Sequence, residues 1–171
     1  MHSTHRSAVL PSKSLSRKAV KPVRRIPDWE ASGLAGLLGG LTFVALEMAF
    51  SGLSGGGPLD APKTIASIFF GGTLPVQSNG FLLALALGIH FSLSLVYARA
   101  LALYLTFRRG GSAPLVGAAF GVLLYLVNAH GVALAVPRAG ALQTWPWLLS
   151  HVGFGLAAAT AYKKLERVSY E

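Results

Sequence analysis

The sequence predicts an all-α integral membrane protein. We expect a four-helix bundle that runs up-down-up-down, with a short interfacial helix between spans 1 and 2 and a basic N-terminal tail. Two observations lead to this class. Of the 171 residues, 53% are hydrophobic and only 12% are charged, about half the charged share of a typical soluble domain. The apolar residues also gather in four long runs, and most basic residues lie outside them.

The N-terminal tail, residues 1–32, differs from the rest of the chain. Residues 1–25 hold seven Lys or Arg, frequent Ser and Pro, and no acidic residue. This composition is typical of a solvated cytoplasmic tail. It is also typical of a strip that binds anionic lipid or an acidic partner, or of an organellar targeting sequence. These alternatives stay open at the level of the sequence.

The first span is predicted at residues 33–53, where Glu47 is the only charge. Gly36 and Gly40 lie one helical turn apart, and such a small-residue pair lets another helix approach closely. A run of glycines follows and ends the helix.

A short helix is predicted in the next connection. Asp60 and Pro62 are typical of a helix start, because an acidic residue and a proline are both favoured in the first turn. Apolar side chains recur on one face up to residue 70, which predicts a helix in the interface plane: Ile65, Ile68 and Phe69.

Three further spans are predicted, none of which contains an acidic residue: residues 81–106, 115–136 and 145–162. Each is close to the ~20 apolar residues that a membrane-crossing helix needs. Gly117 and Gly121 offer a second close-packing face. Trp145 and Trp147 at one end of the last span, with Tyr162 at the other, are suited to the two membrane interfaces. Residues 33–165 therefore form the membrane domain, and residues 166–171 form the C-terminus.

The distribution of basic residues predicts the topology. Twelve Lys or Arg lie in the tail, in the link between spans 2 and 3, and after span 4, whereas Lys63 and Arg138 lie on the other side. Arg99 lies inside the second span. The positive-inside rule then places both termini on the cytoplasmic side of the membrane. The corresponding side of an organellar inner membrane is the alternative.

Each span also carries one further titratable group: Glu47, His90, His130 and His151. Their positions predict depths of ~9 Å below the outer end of the span, or ~14 Å for His90. All four therefore fall in the outer half. They can form interhelical hydrogen bonds, hold a transition metal or haem, or relay protons. The spacings do not distinguish these interpretations.

Enzyme signatures are absent from the sequence. It has no cysteine, P-loop, nucleophile elbow or paired carboxylates, so we expect no catalysis and no resident cofactor, with haem or a transition metal as the alternative. The positive-inside distribution explains the net charge of +9, so we expect no nucleic-acid partner.

The order of motifs resembles a known group. A Gly-rich first span is followed by DAPKTIASIFFG, IHFSLSLVYA, a Gly/Ala-rich third span after a basic turn, and SHVGFGLAAATAY. This pattern, over residues 33–165, is similar to the YagU-like group of small four-span bacterial inner-membrane proteins. The resemblance implies the four-span architecture and a bacterial inner membrane, and it implies no chemistry. The long basic tail departs from that pattern.

The expected function is a non-catalytic accessory or scaffold subunit of a larger membrane complex, for example a respiratory or photosynthetic one. Small-residue helix faces and the basic tail would contact other subunits, and the tail would also contact anionic lipid. The alternative is a metal- or haem-binding membrane protein, or a small proton or solute carrier, that uses the four outer-half side chains.

Overall fold

The computed structural model describes residues 25–70, 79–108, 110–167 and 169–170. The described chain is mostly helical, so the predicted all-α class is confirmed. The basic tail before residue 25 lies outside the described residues, as do the predictions made for it. The α-helices are α1 (Trp29–Leu53), α2 (Asp60–Phe70), α3 (Asn79–Leu105), α4 (Ala113–Tyr125), α5 (Val132–Ala135) and α6 (Trp145–Leu165).

The third apolar segment is not a uniform α-helix. A π-helix at Leu126–Gly131 joins α4 to α5 without a break. A π-turn adds a residue to the helical turn and re-aims the side chains around it, which is frequent at functional sites. Short 3₁₀ helices precede α4 at Gly110–Ser112 and connect α5 to α6 at Pro137–Leu142.

Local signals explain both ends of α1. The Asp28 carboxylate accepts a hydrogen bond from the backbone N–H of Ala31 at 2.9 Å, which satisfies one of the amides left free in the first turn of a helix. After α1 the chain turns at Gly55, whose φ of 78° lies in the left-handed region that only glycine adopts readily.

Three stretches of the described chain are long and apolar enough to cross a membrane: Trp29–Leu53, Leu83–Leu105 and Ala113–Ala135. The predicted fourth span, α6, is not among them. Its buried face carries the polar Ser150 and His151, and its last turn carries Lys163 and Lys164. The neighbouring helices α1 and α4 enclose this face.

The packing of α6 explains this enclosure. It packs extensively against both α1 and α4, whereas α3 packs mainly against α1 and has little contact with α4. The short helix α2 lies on α3 and α1. The helices therefore pack tightly around α6, whereas α3 and α4 are in loose contact with each other.

Glycines permit the closest helix contacts. A Cβ added at Gly117 or Gly121 would collide with the backbone of α6, at Gly155 and His151 respectively. On α1, a Cβ at Gly36 would lie 2.9 Å from the Ser94 carbonyl oxygen. A Cβ at Gly40 would lie 2.8 Å from Ser94 Oγ. All four glycines of the predicted packing faces therefore contact helices of this same chain.

Hydrogen bonds join the two ends of the described chain. The hydroxyl groups of Tyr162 and Thr106 lie 2.9 Å apart, and the Asp28 backbone N–H donates to the Tyr162 hydroxyl oxygen at 3.3 Å. Beyond them, β1 (Arg25–Ile26) pairs antiparallel with β2 (Ser169–Tyr170). The start of α1 and the ends of α3 and α6 therefore lie together.

Candidate functional site

A cavity of about 100 Å³ lies where α3 and α4 separate. Most of its wall is apolar and aromatic, with contributions from Phe43, Leu93, Leu124, Trp147 and Phe154. The polar groups on the wall come from three different segments of the chain: His90, Ser94 and Tyr97 on α3, Asn128 in the π-helix, and His151 on α6. An apolar cavity with a few convergent polar groups is the usual form of a small-molecule site.

A directed chain of hydrogen bonds crosses this cavity. The Tyr97 hydroxyl donates to Asn128 Oδ1 at 2.7 Å, and Asn128 Nδ2 lies 3.2 Å from His151 Nε2. Because an amide nitrogen only donates, His151 Nε2 is the acceptor and the ring proton lies on Nδ1. That Nδ1 donates to the Trp147 carbonyl oxygen at 2.7 Å. Both nitrogens of a neutral His151 are therefore occupied.

His90 is held differently. Its Nε2 lies 3.1 Å from the Gly40 carbonyl oxygen, and since a carbonyl only accepts, Nε2 carries the proton. Its Nδ1 is then an acceptor, and it has no hydrogen-bond partner among the described residues. The close approach of α3 to Gly40 is what brings this ring to the backbone of α1. His90 is the imidazole that can accept a hydrogen bond from a ligand.

Phe43 links the two histidines at the cavity. Its ring centroid lies 5.2 Å from that of His90 and 4.9 Å from that of His151. It also meets Trp147 edge-on at 5.4 Å. Aromatic pairs in this range favour tilted or edge-on geometry. This cluster makes the cavity wall rigid at the level where α1, α3 and α6 meet.

Glu47 lies on α1 one turn beyond Phe43. Its side chain is 7% exposed, and that of Ser150 is fully buried. The Ser150 hydroxyl is near enough to the Glu47 carboxyl to interact with it. The hydroxyl and the carboxyl are not oriented to form a hydrogen bond with each other. Glu47 Oε1 and Ser150 Oγ therefore both lack a partner among the described residues. Glu47 lines a small space shared with His90 and also an outer depression that contains Asp60.

His130 does not join this group. It is exposed, and its ring packs edge-on against Tyr125 at a centroid distance of 5.4 Å. The neighbouring Asn128 reaches the cavity instead, so the layer of four titratable groups expected from depth alone contains three that line the interior: Glu47, His90 and His151.

The other end of the bundle is closed. Leu101, Ala102 and Leu105 on α3 are at most 2% exposed, as are Ala158 and Tyr162 on α6. These residues pack into one continuous core with the start of α1. In the described part of the chain this core closes the cavity on the side toward the chain ends.

The side chains fit a transition metal or haem poorly. Within the described ranges no group of three or more His, Cys, Asp or Glu side chains converges as a metal site. His151 would have to give up one of its two hydrogen bonds before it could bind a metal through a ring nitrogen. His90 has its Nδ1 available, and a single imidazole does not form a bis-histidine haem site.

Comparison with known proteins finds no matching family model, no matching curated protein and no matching solved structure. The resemblance to the YagU-like group therefore stays a prediction.

Tyr97 was not predicted from the sequence to be part of the site. The signal was present, because His90, Ser94 and Tyr97 recur at helical spacing on one face of α3. The roles of Phe43 and Trp147 as the aromatic wall were also missed, since both resemble ordinary core or interface residues.

Proposed function

We propose that this chain is a membrane protein that binds a small, mainly apolar molecule carrying a hydrogen-bond donor, in the cavity between α3 and α4. The observation that carries this proposal is that His90, whose Nδ1 has no partner among the described residues, lines a mainly apolar and aromatic wall. A donor group of the ligand, such as a hydroxyl, satisfies that nitrogen. Catalysis is not part of the proposal.

The volume of the cavity limits the ligand. An apolar cavity of about 150 Å³ in another protein is large enough for benzene. A cavity of about 100 Å³ that is partly open on one side accepts one small ring or a branched apolar group, with the rest of the molecule between α3 and α4.

Brominated aromatics test the proposal, because bromine quenches tryptophan fluorescence on contact and Trp147 lines the cavity. We expect ortho-bromophenol to quench the purified protein saturably and more strongly than bromobenzene, which has no donor. His90→Phe should remove the difference between the two compounds. Equal quenching by both compounds in the unmodified protein would contradict the proposal.

Two valine variants are matched controls. Val132 lines the cavity, so Val132→Phe should fill it and abolish saturable quenching. Val127 is 50% exposed and lies outside the cavity wall, so Val127→Phe should leave quenching unchanged. Comparison of Val132→Phe with Val127→Phe distinguishes loss of the cavity from a general effect of an added aromatic ring.

For the membrane arrangement we propose four spans that run up-down-up-down, with α6 as the fourth and α2 in the interface plane. The joined ends of α1, α3 and α6 support this arrangement. The basic residues favour cytoplasmic termini in a bacterial inner membrane, with an organellar inner membrane as the alternative. The chain has no cysteine, so Ser169→Cys and Ala141→Cys can be labelled separately with an impermeant maleimide. Labelling of both from the same side of intact cells would overturn the topology.

We also propose, as a second function, an accessory subunit of a larger complex. Its support is the exposed face of α3, whose candidate span is only 17% buried, against 33% for α1. The small-residue faces no longer support it, because they contact helices of this chain. Purification from native membranes in mild detergent, with and without residues 1–24, tests it. Recovery of a monomer both with and without residues 1–24 would exclude a stable complex. It would also exclude the tail as the segment that docks to one.

A further inference from the structure

The buried oxygens of Glu47 and Ser150 lie outside the hydrogen-bond network that crosses the cavity. Both Glu47 Oε1 and Ser150 Oγ are unpartnered, and both side chains are more than nine-tenths buried. A buried polar group without a partner is costly, and a buried carboxylate without a counter-charge is more so. Such a pair indicates a ligand that the protein itself does not supply.

No basic side chain in the described ranges forms an ion pair with Glu47. Lys63 on the neighbouring helix α2 lies 3.9 Å from the Asp60 carboxylate. On the neighbouring helices, His151 is neutral because its Nε2 accepts from Asn128, and His90 forms no ion pair with Glu47 in the described ranges. The carboxylate therefore has no counter-charge within the described part of the chain.

We propose that Glu47 and Ser150 form a binding site for one monovalent cation of the size of Na⁺, which enters from the outer depression. Carboxylate and hydroxyl oxygens are the ligands that hard cations prefer. One carboxylate balances one positive charge, whereas a divalent ion would leave an uncompensated charge in a low-dielectric interior.

Glu47 lines a space on each of its two sides. The space that it shares with His90 measures about 20 Å³ and is otherwise lined by apolar side chains, so the ion lies on the other side of the carboxylate. On its other side Glu47 lines the outer depression, which is about 240 Å³ and open. Water in that depression completes the coordination shell of the ion.

The rim of the depression favours cations. Asp60 lies on it, with Ser51, Ser54, Thr64 and Thr144 as further oxygen-bearing side chains. The Asp60 carboxylate is held in place by the backbone N–H of Gly57 at 2.6 Å. A fixed negative charge at the mouth of a partly enclosed space raises the local concentration of cations.

The experiment measures thermal unfolding of the purified full chain in detergent, titrated with NaCl or with choline chloride at constant ionic strength and pH. We expect a saturable rise of Tm with Na⁺ and none with choline. Glu47→Gln should remove the rise, and Ser150→Ala should weaken the apparent affinity about tenfold, as the loss of one ligand to a charged group implies. Ser54→Ala, which alters the rim and not the pair, should keep it.

Binding of radiolabelled sodium by equilibrium dialysis keeps the proposal testable if Glu47→Gln does not fold. One ion per chain, displaced by LiCl and not by choline chloride, is expected for the unmodified protein. Absence of bound sodium, or a Tm that follows pH and is indifferent to Na⁺, would mean that a proton alone neutralises Glu47 and would overturn the proposal. Because the readouts use neither aromatic ligand nor Trp147, they are independent of the test of the cavity.

Discussion

Asn128 donates from Nδ2 to Nε2 of His151 across 3.2 Å, which joins the π-helix to α6. Gly121 lies two turns earlier on the same helix and meets the backbone of His151 itself. The close contact and the hydrogen bond therefore occur on one face of the third apolar segment. Residues seven apart share a face of a helix and residues two apart do not, so Asn128 reaches α6 on the Gly121 face while His130 is exposed.

Removal of the Asn128 amide should destabilise the protein. In Asn128→Leu the Tyr97 hydroxyl loses its acceptor and His151 Nε2 loses its donor. Buried polar groups left without partners cost about 1–3 kcal/mol, and the free energy of unfolding in detergent should fall by about that amount. Val127→Ala, on the exposed side of the same turn, should change it by less than about 0.5 kcal/mol. Similar losses in both variants would contradict the role of the network.

Gly121→Ala should destabilise the contact between α4 and α6. The added methyl group collides with backbone atoms of His151 and Val152, which cannot rotate away. Overpacking of this kind costs about 1–3 kcal/mol. The control is Gly88→Ala on α3, where nothing lies within 4 Å of the new Cβ. It should be neutral or stabilise by up to about 1 kcal/mol, since alanine favours helix more than glycine does. Thermal unfolding of the pair should therefore shift in opposite directions, and a shared direction would count against the contact.

Tyr162→Phe tests the junction of the chain ends. Its hydroxyl contacts Thr106 Oγ1 and accepts from the Asp28 backbone N–H, and the residue is 1% exposed. Loss of these bonds should lower the free energy of unfolding by about 1 kcal/mol. Tyr104→Phe, on an exposed residue whose hydroxyl accepts from Arg108, should have a smaller effect. Urea unfolding of both variants gives the comparison, and a larger loss at Tyr104 would disprove the assignment.

The contribution of Asp28 should depend on pH. Hydrogen bonds from the backbone N–H groups of Ala31 and Arg167 hold the pKa of its carboxyl below the usual range. The folded state therefore binds a proton less readily than the unfolded state does. The stabilisation is complete above the ordinary aspartate pKa of about 3.9 and is lost as the pH falls through the lower pKa of the folded state.

Unfolding free energies of the unmodified protein and of Asp28→Asn, measured from pH 7 down to about pH 2, check this prediction. The difference between the two proteins should be constant at neutral pH and should shrink below about pH 4. A difference that grows as the pH falls would have the wrong sign. Glu30→Gln is the matched control, because the exposed Glu30 meets Arg167 only at 3.7 Å.

The sequence by itself determined the helical class and the positions of the long apolar helices. Length and hydropathy are local properties: an apolar run near 20 residues without charge can satisfy its backbone only as a helix in lipid. The start of α2 also followed from local residues, since Asp60 lies where that helix begins, whereas α1 begins at Trp29, before the predicted start at residue 33. Glu47 and His90 were found as buried polar groups because a titratable side chain in an apolar run is conspicuous.

Only the tertiary structure decided which polar side chains meet. Asn128 and His130 are two residues apart and so point to different sides of their helix, and only the packed structure shows that the Asn128 side faces α6 and the cavity while His130 is exposed. The position of α6 between α1 and α4 also came only from the packing. The small-residue faces predicted to contact partners are occupied inside the chain. Side-chain direction and helix neighbours depend on packing between distant segments, and no local pattern contains that information.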